Sequence, residues 1–172
     1  MIYDIATLSV LTELARKSVK GGQNNPWYLR YASPAYDLVM DEINGISETL
    51  RMGCPPDVAA ACVDLLATWA ESPRPEAKAA YGRALLMEGR PWFNPKKGMA
   101  FLRASAEDGM KTTPKIPVGM YEYGCALIDR SPEDHTGDAD RKIGKRWIVR
   151  AARLGHFPAK VSCLCLVGTP KG

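Results

Sequence analysis

The sequence predicts an all-α fold built from antiparallel helix pairs that stack by repetition. Three observations predict it. Apolar residues recur at helical spacing along the whole chain, segments with strand-like alternation are nearly absent, and two stretches of the second half repeat one another position by position. One helix pair cannot bury its own apolar face. Repetition of this kind therefore predicts pairs packed on their neighbours, with the first and last helices as caps.

The first helix starts near Ile5, with Ile5, Leu8, Leu11, Ala15 and Val19 on one face and Leu14 at its border. Gly21-Gly22 ends it, and Lys17 and Lys20 stand near that end, where the helix dipole favours cations. Gln23 to Arg30 reads as a loop with an aromatic anchor, Trp27-Tyr28. Ser33-Pro34 opens a second helix, because serine satisfies free N–H groups and proline suits the first helical position. Its apolar face is Tyr36, Val39, Met40, Ile43 and Ile46, and it fades near Met52-Gly53. Pro55-Pro56-Asp57 opens a third, carrying Val58, Cys62, Leu65, Leu66 and Trp69, and Ser72-Pro73-Arg74-Pro75 breaks it. Shorter helices follow near 76–88, 96–108, 118–129, 139–154 and 158–166. Their short connections imply antiparallel neighbours. The exception is Arg130 to Asp138, a polar, turn-rich stretch predicted to be a mobile surface loop.

With 172 residues, 46% apolar and 24% charged, the chain can bury a sizeable core and is too apolar for a disordered segment. Its longest apolar runs, Val58 to Val63 and Cys163 to Val167, are too short to span a bilayer, so no membrane insertion is expected. The start, Met-Ile-Tyr-Asp-Ile, lacks the features of a signal peptide, which predicts a cytoplasmic location. Cys54, Cys62, Cys125, Cys163 and Cys165 are odd in number and scattered, which argues against a disulfide framework. Cys163-Leu164-Cys165 is the only close pair and lacks a second ligand pair. The cysteines are read as small buried apolar residues, and no metal or cofactor is expected.

The repeat lies in the second half. Asn94, Lys97, Gly98, Phe101, Ala104, Ser105, Ala106 and Gly109 align without a gap on Asp140, Ile143, Gly144, Trp147, Arg150, Ala151, Ala152 and Gly155, 46 residues on. Each stretch follows a helix with a Tyr-Gly pair, Tyr81-Gly82 and Tyr123-Gly124, 42 residues apart, so the second loop is enlarged. The aromatics Phe101 and Trp147 are predicted to fill the space between paired helices. The small residues after them should let the next helix approach, and Gly109 and Gly155 suit the left-handed position after a helix end. Gly82 and Gly124 sit inside helices, where glycine costs about 1 kcal/mol relative to alanine; a bulky partner against bare backbone would explain them.

On these residues the chain resembles the Sel1-like repeats, relatives of the tetratricopeptide repeats. Ala77, Tyr81, Gly82, Gly89, Asn94, Lys97, Phe101, Ala106, Glu107 and Gly109 supply one unit. Tyr123, Gly124, Asp140, Trp147, Ala151, Ala152, Gly155 and His156 supply a second, and a third starts at Ala159. Gly89 is displaced by one residue and the Gly-x-Gly of the family's loop is absent. The resemblance covers 75–166. Residues 1–74 form an N-terminal helical region, a cap in which 33–72 are compatible with a degenerate unit, and 167–172 form a tail. The resemblance implies a right-handed α-solenoid with a concave groove lined by the first helix of each pair. It also implies a non-catalytic scaffold or adaptor for protein partners, of a bacterial type tied to signalling, secretion, virulence or conflict. A small inhibitor or immunity-type protein that caps a target is the narrower version.

Enzymatic constellations are poor. His135 falls in the polar loop, and a Cys–His nucleophile using Cys163 or Cys165 with His156 has no specific spacing behind it. No phosphate loop, metalloprotease pair or paired-carboxylate motif appears, and Glu133-Asp134 reads as loop solvation. Binding residues are better candidates. Arg83, Tyr121 and Glu122 lie on the expected inner helices, with Met87 read as packing. The helix 139–154 is expected to bury Ile143, Trp147, Ala151 and Leu154 and to present Lys142, Arg146, Arg150 and Arg153, flanked by Arg141 and Lys145. Charge is uneven along the chain. Residues 1–90 hold 9 basic and 11 acidic side chains, net −2, and residues 91–172 hold 14 and 8, net +6. The stripe therefore suits an acidic protein surface or, with less support, nucleic-acid phosphates; a solvated outer face is the plain alternative.

Overall fold

The computed structural model describes residues 3–22, 34–130 and 138–167, which hold eight helices and no strand. These are α1 (Ile5–Gly22), α2 (Pro34–Met52), α3 (Pro56–Ala70), α4 (Pro75–Leu85), α5 (Pro95–Lys111), α6 (Val118–Asp129), α7 (Asp138–Arg153) and α8 (Phe157–Val167). Prolines open α2 to α5, where a missing N–H costs nothing. Asp4 accepts the Thr7 N–H at 2.7 Å to start α1, and Asn94 accepts the Lys97 N–H at 3.0 Å to start α5. Gly155, at φ +94°, ends α7. Its N–H donates to the Ala152 carbonyl at 3.0 Å, and the His156 N–H donates to that of Ala151 at 3.1 Å.

Two helix ends differ from expectation. α4 stops at Leu85, because the Leu86 and Met87 N–H groups tighten onto the Arg83 and Ala84 carbonyls and Gly89 then turns at φ +73°. The Trp92 indole donates to the Ala84 carbonyl at 3.0 Å and holds this turn against α4. α5 runs on to Lys111 through Gly109, which is helical and does not occupy a left-handed end position. It is bare for another reason: the Ile116 carbonyl lies where a Cβ would stand. The Trp27-Tyr28 anchor, Ser33 and residues 131–137 of the expected loop lie outside the described residues, as do the side chains of Val19, Tyr36 and Val39.

From α2 onward each helix packs on its neighbours in the chain, and α4 also touches α2 and α6: α2 on α3 and α4, α3 on α4, α4 on α5 and α6, α5 on α6, α6 on α7, α7 on α8; α1 instead packs against α3. Leu8, Ile43, Ile46, Cys62, Leu65, Leu66, Trp69 and Ala77 centre the larger core, and Ala106, Met120, Ile148, Ala151 and Ala159 the smaller. Ala79, Leu102 and Ala126 form a third cluster. The buried face of α1 is Leu8, Thr12 and Ala15; Ile5 and Leu14 are exposed. Thr12 is accommodated because its hydroxyl donates to the Leu8 carbonyl at 2.8 Å.

The α4–α5 and α6–α7 hairpins cross on matched glycine pairs. A Cβ on Gly82 would stand 3.0 Å from the Gly98 carbonyl oxygen, and one on Gly98 would stand 3.0 Å from that of Gly82. In α6 and α7 the corresponding separations are 2.8 Å from Gly124 to the Gly144 oxygen and 2.6 Å in reverse. The side chains that fill these crossings are Leu102 and Leu86 in the first and Ile148 and Ile128 in the second, and not the aromatics beside them. Phe101 and Trp147 are half-buried and lie edge-on to Tyr81 and Tyr123, with ring centroids 4.8 and 6.1 Å apart.

Candidate functional site

Two depressions lie along the even-numbered helices. One, about 470 Å³, runs between α2 and α4 over Leu50, Leu66, Ala80, Ala84 and Met87, with Asn44, Ser47, Glu48, Arg51 and Arg83 at its edges. The other, about 280 Å³, runs from α4 to α6 past Leu86, Glu122, Cys125 and Asp129. Arg83 lines both. Its guanidinium meets the Glu122 carboxylate at 3.1 Å, so two expected contact residues form one ion pair across α4 and α6. Glu122 is the more buried partner. Burial pushes its carboxyl up from the ordinary value, and Arg83 pulls it part of the way back. Glu48 and Arg51 form a second, exposed pair on the α2 edge.

Tyr121 is not a free groove aromatic. Its hydroxyl lies 3.3 Å from the Ser162 Oγ and its ring 4.9 Å from that of His156, so it packs between α6 and α8. The residue that lines the α4–α6 depression is Glu122, one residue on. His156 is half-buried, burial lowers its pKa, and its Nδ1 is without a hydrogen-bond partner among the described residues. Cys163 is half-buried against the smaller core, and the Cys165 side chain lies outside the described residues. Met87 is half-buried against the larger core and also floors the first depression.

On α7, Lys142, Arg146, Arg150 and Arg153 are all exposed, as expected. The apolar face is not the expected one. Gly144, Ile148 and Ala151 are buried, Trp147 is partly covered, and Ile143 and Leu154 remain 40% and 38% accessible. The glycine crossing dictates this rotation: contact at Gly144 turns Ile143, about 100° away around the helix, outward. A shallow groove of about 520 Å³ results, lined by Ile143, Arg146, Trp147, Val149, Arg150 and Arg153. Val149, 37% accessible, was not foreseen there.

The arginines of this groove have no anionic partner among the described residues. Among the described residues, none of Arg146, Arg150 and Arg153 forms an ion pair or a hydrogen bond with a side chain. Arg150 lies over the Trp147 ring at 5.5 Å, which orders one of the three. Like charges three and four residues apart on a helix oppose it by about 0.2–0.5 kcal/mol per pair.

Among the described residues no helix is long and apolar enough to cross a membrane. Comparison of the chain with protein-family models, with curated proteins and with solved structures finds no match in any of the three.

Proposed function

We propose that the chain is a non-catalytic scaffold that binds a protein partner along the α2–α4–α6 face, built as a right-handed α-solenoid of Sel1-like and tetratricopeptide-like helix pairs. The neighbour pattern supports the solenoid reading. α2 and α3 stand to α4 as α4 and α5 stand to α6, and the glycine crossing recurs in both later hairpins. By the same pattern, α2 and α3 are a degenerate earlier unit. The observation that carries the binding reading is the position of Arg83. It lines both depressions, is half exposed, and is held by Glu122 at a place where a partner can reach it.

A photo-crosslinking residue at Met87, introduced into the protein in its native host, tests this. A discrete protein adduct is expected at Met87, absent when the same residue replaces exposed Glu71, and lost in Arg83→Glu. Equal labelling from Met87 and Glu71, or no protein adduct at Met87, would sink the reading.

A further inference from the structure

We infer that the outer face of α7 is a second interaction surface, and that its occupant is an acidic amphipathic helix of a partner protein. The inference rests on reading the chain as a protein-binding scaffold, but it concerns a different face and different residues.

Charge complementarity selects the partner's sign. Arg146, Arg150 and Arg153 are exposed, lie on one side of one helix, and have no carboxylate of their own among the described residues. A guanidinium fork binds a carboxylate in two parallel hydrogen bonds, so the three form a row of carboxylate seats. From Arg146 to Arg153 the row spans about 10 Å of helix axis, matching acidic residues at i, i+4 and i+7 on an apposed helix.

The apolar residues select the class of partner. Ile143 and Val149 lie in the same groove as the three arginines, and Leu154 is exposed at the end of the helix. Phosphate chains offer nothing to these side chains. A helix with leucine or isoleucine beside its acids covers them while pairing the arginines. Arg150, already stacked on Trp147, is pre-ordered for such a contact, which lowers the entropic cost of binding.

Fluorescence anisotropy with the full chain tests the inference. The probe is a labelled helical peptide of about 18 residues with glutamates at i, i+4 and i+7 and leucines beside them. Its scrambled isomer of equal charge and a labelled DNA duplex are the comparisons, and sedimentation with phosphatidylserine/phosphatidylcholine vesicles is the fourth arm. The patterned peptide is expected to bind at least about tenfold tighter than its isomer or the DNA, with affinity falling as salt rises. Arg146→Glu/Arg150→Glu/Arg153→Glu should weaken it by about tenfold or more, and Ile143→Ala/Val149→Ala by about fivefold. A charge-matched control on other exposed cations, Lys96→Glu/Arg103→Glu/Lys115→Glu, should leave it unchanged. All these positions are at the surface, and circular dichroism checks that each variant is folded. Equal binding of the scrambled isomer, tighter binding of DNA or vesicles, no effect of the apolar pair, or no binding of the patterned peptide overturns the inference. The Met87 crosslink reports on the other face independently, so either reading can fail without the other.

Discussion

At the scale of single residues, the glycines separate two physical demands that look alike in the sequence. Gly144 is bare because the Gly124 carbonyl leaves no room for a Cβ, whereas Gly155 has open space around it and is constrained only by φ +94°. Gly144→Ala gains about 1 kcal/mol of helix propensity but must push backbone away, so a net loss of about 1–3 kcal/mol is expected. Gly155→Ala is expected to lose about 1–2 kcal/mol from left-handed strain alone. Asparagine discriminates them in urea denaturation: it should recover much of the loss at 155 and deepen it at 144, because asparagine tolerates the left-handed region but needs space. His156 supplies a pH dependence. Its folded pKa lies below the ordinary value near 6.5 because burial disfavours the cation. The unfolded chain therefore takes up a proton first on acidification. Stability is expected to hold above pH 6.5 and to fall as pH drops through that value toward the folded pKa, with His156→Gln flattening the slope.

At the scale of elements, the helix starts were legible because proline, aspartate and asparagine act locally, through a missing N–H or a side-chain oxygen. Helix rotation was less legible. On α7 the apolar pattern offers two adjacent stripes, Ile143-Trp147-Ala151-Leu154 and Gly144-Ile148-Ala151, and periodicity favours the bulkier one. A glycine contributes almost nothing to an apolar pattern, yet Gly144 decides which stripe faces α6. The same blindness explains Gly109, whose role depends on the Ile116 carbonyl seven residues away. Arg83 and Glu122 were legible as single candidates, but their pairing depends on how α4 and α6 lie side by side. That pairing has a measurable sign. Arg83→Ala removes the cation that holds the Glu122 carboxyl down, so the Glu122 pKa, followed by NMR titration, should rise further. Because Arg83 is half exposed, a double-mutant cycle should give a coupling of only about 0.2–1 kcal/mol.

At the scale of the whole molecule, the helix contacts among the described residues join elements adjacent or next but one in the chain, with apolar clusters over α1 to α4, between α4, α5 and α6, and toward α8. In the proposed solenoid such an arrangement stores stability locally, as a sum of interfaces. Its last helix, like its first, is thinly covered. Ala159 aligns with Ala77 and Gly119 and is buried like them, but five residues on, where α4 and α6 place Gly82 and Gly124 against a partner helix, α8 carries Leu164 at 75% exposure. Phe157, on the same helix, is 74% exposed. Helix α8 packs on α7 and meets Tyr121 of α6 through Ser162, whereas α4 contacts α2, α3, α5 and α6. Hydrogen exchange should therefore be faster in α1 and α8 than in α3 and α4. The sharper test adds Gly144→Ala. If interfaces act locally, this change should speed exchange in α6, α7 and α8 and leave α1 to α4 at their original rates. Uniform acceleration along the chain would instead mean that the eight helices open as one unit, and the nearest-neighbour picture behind the proposed solenoid would have to be abandoned.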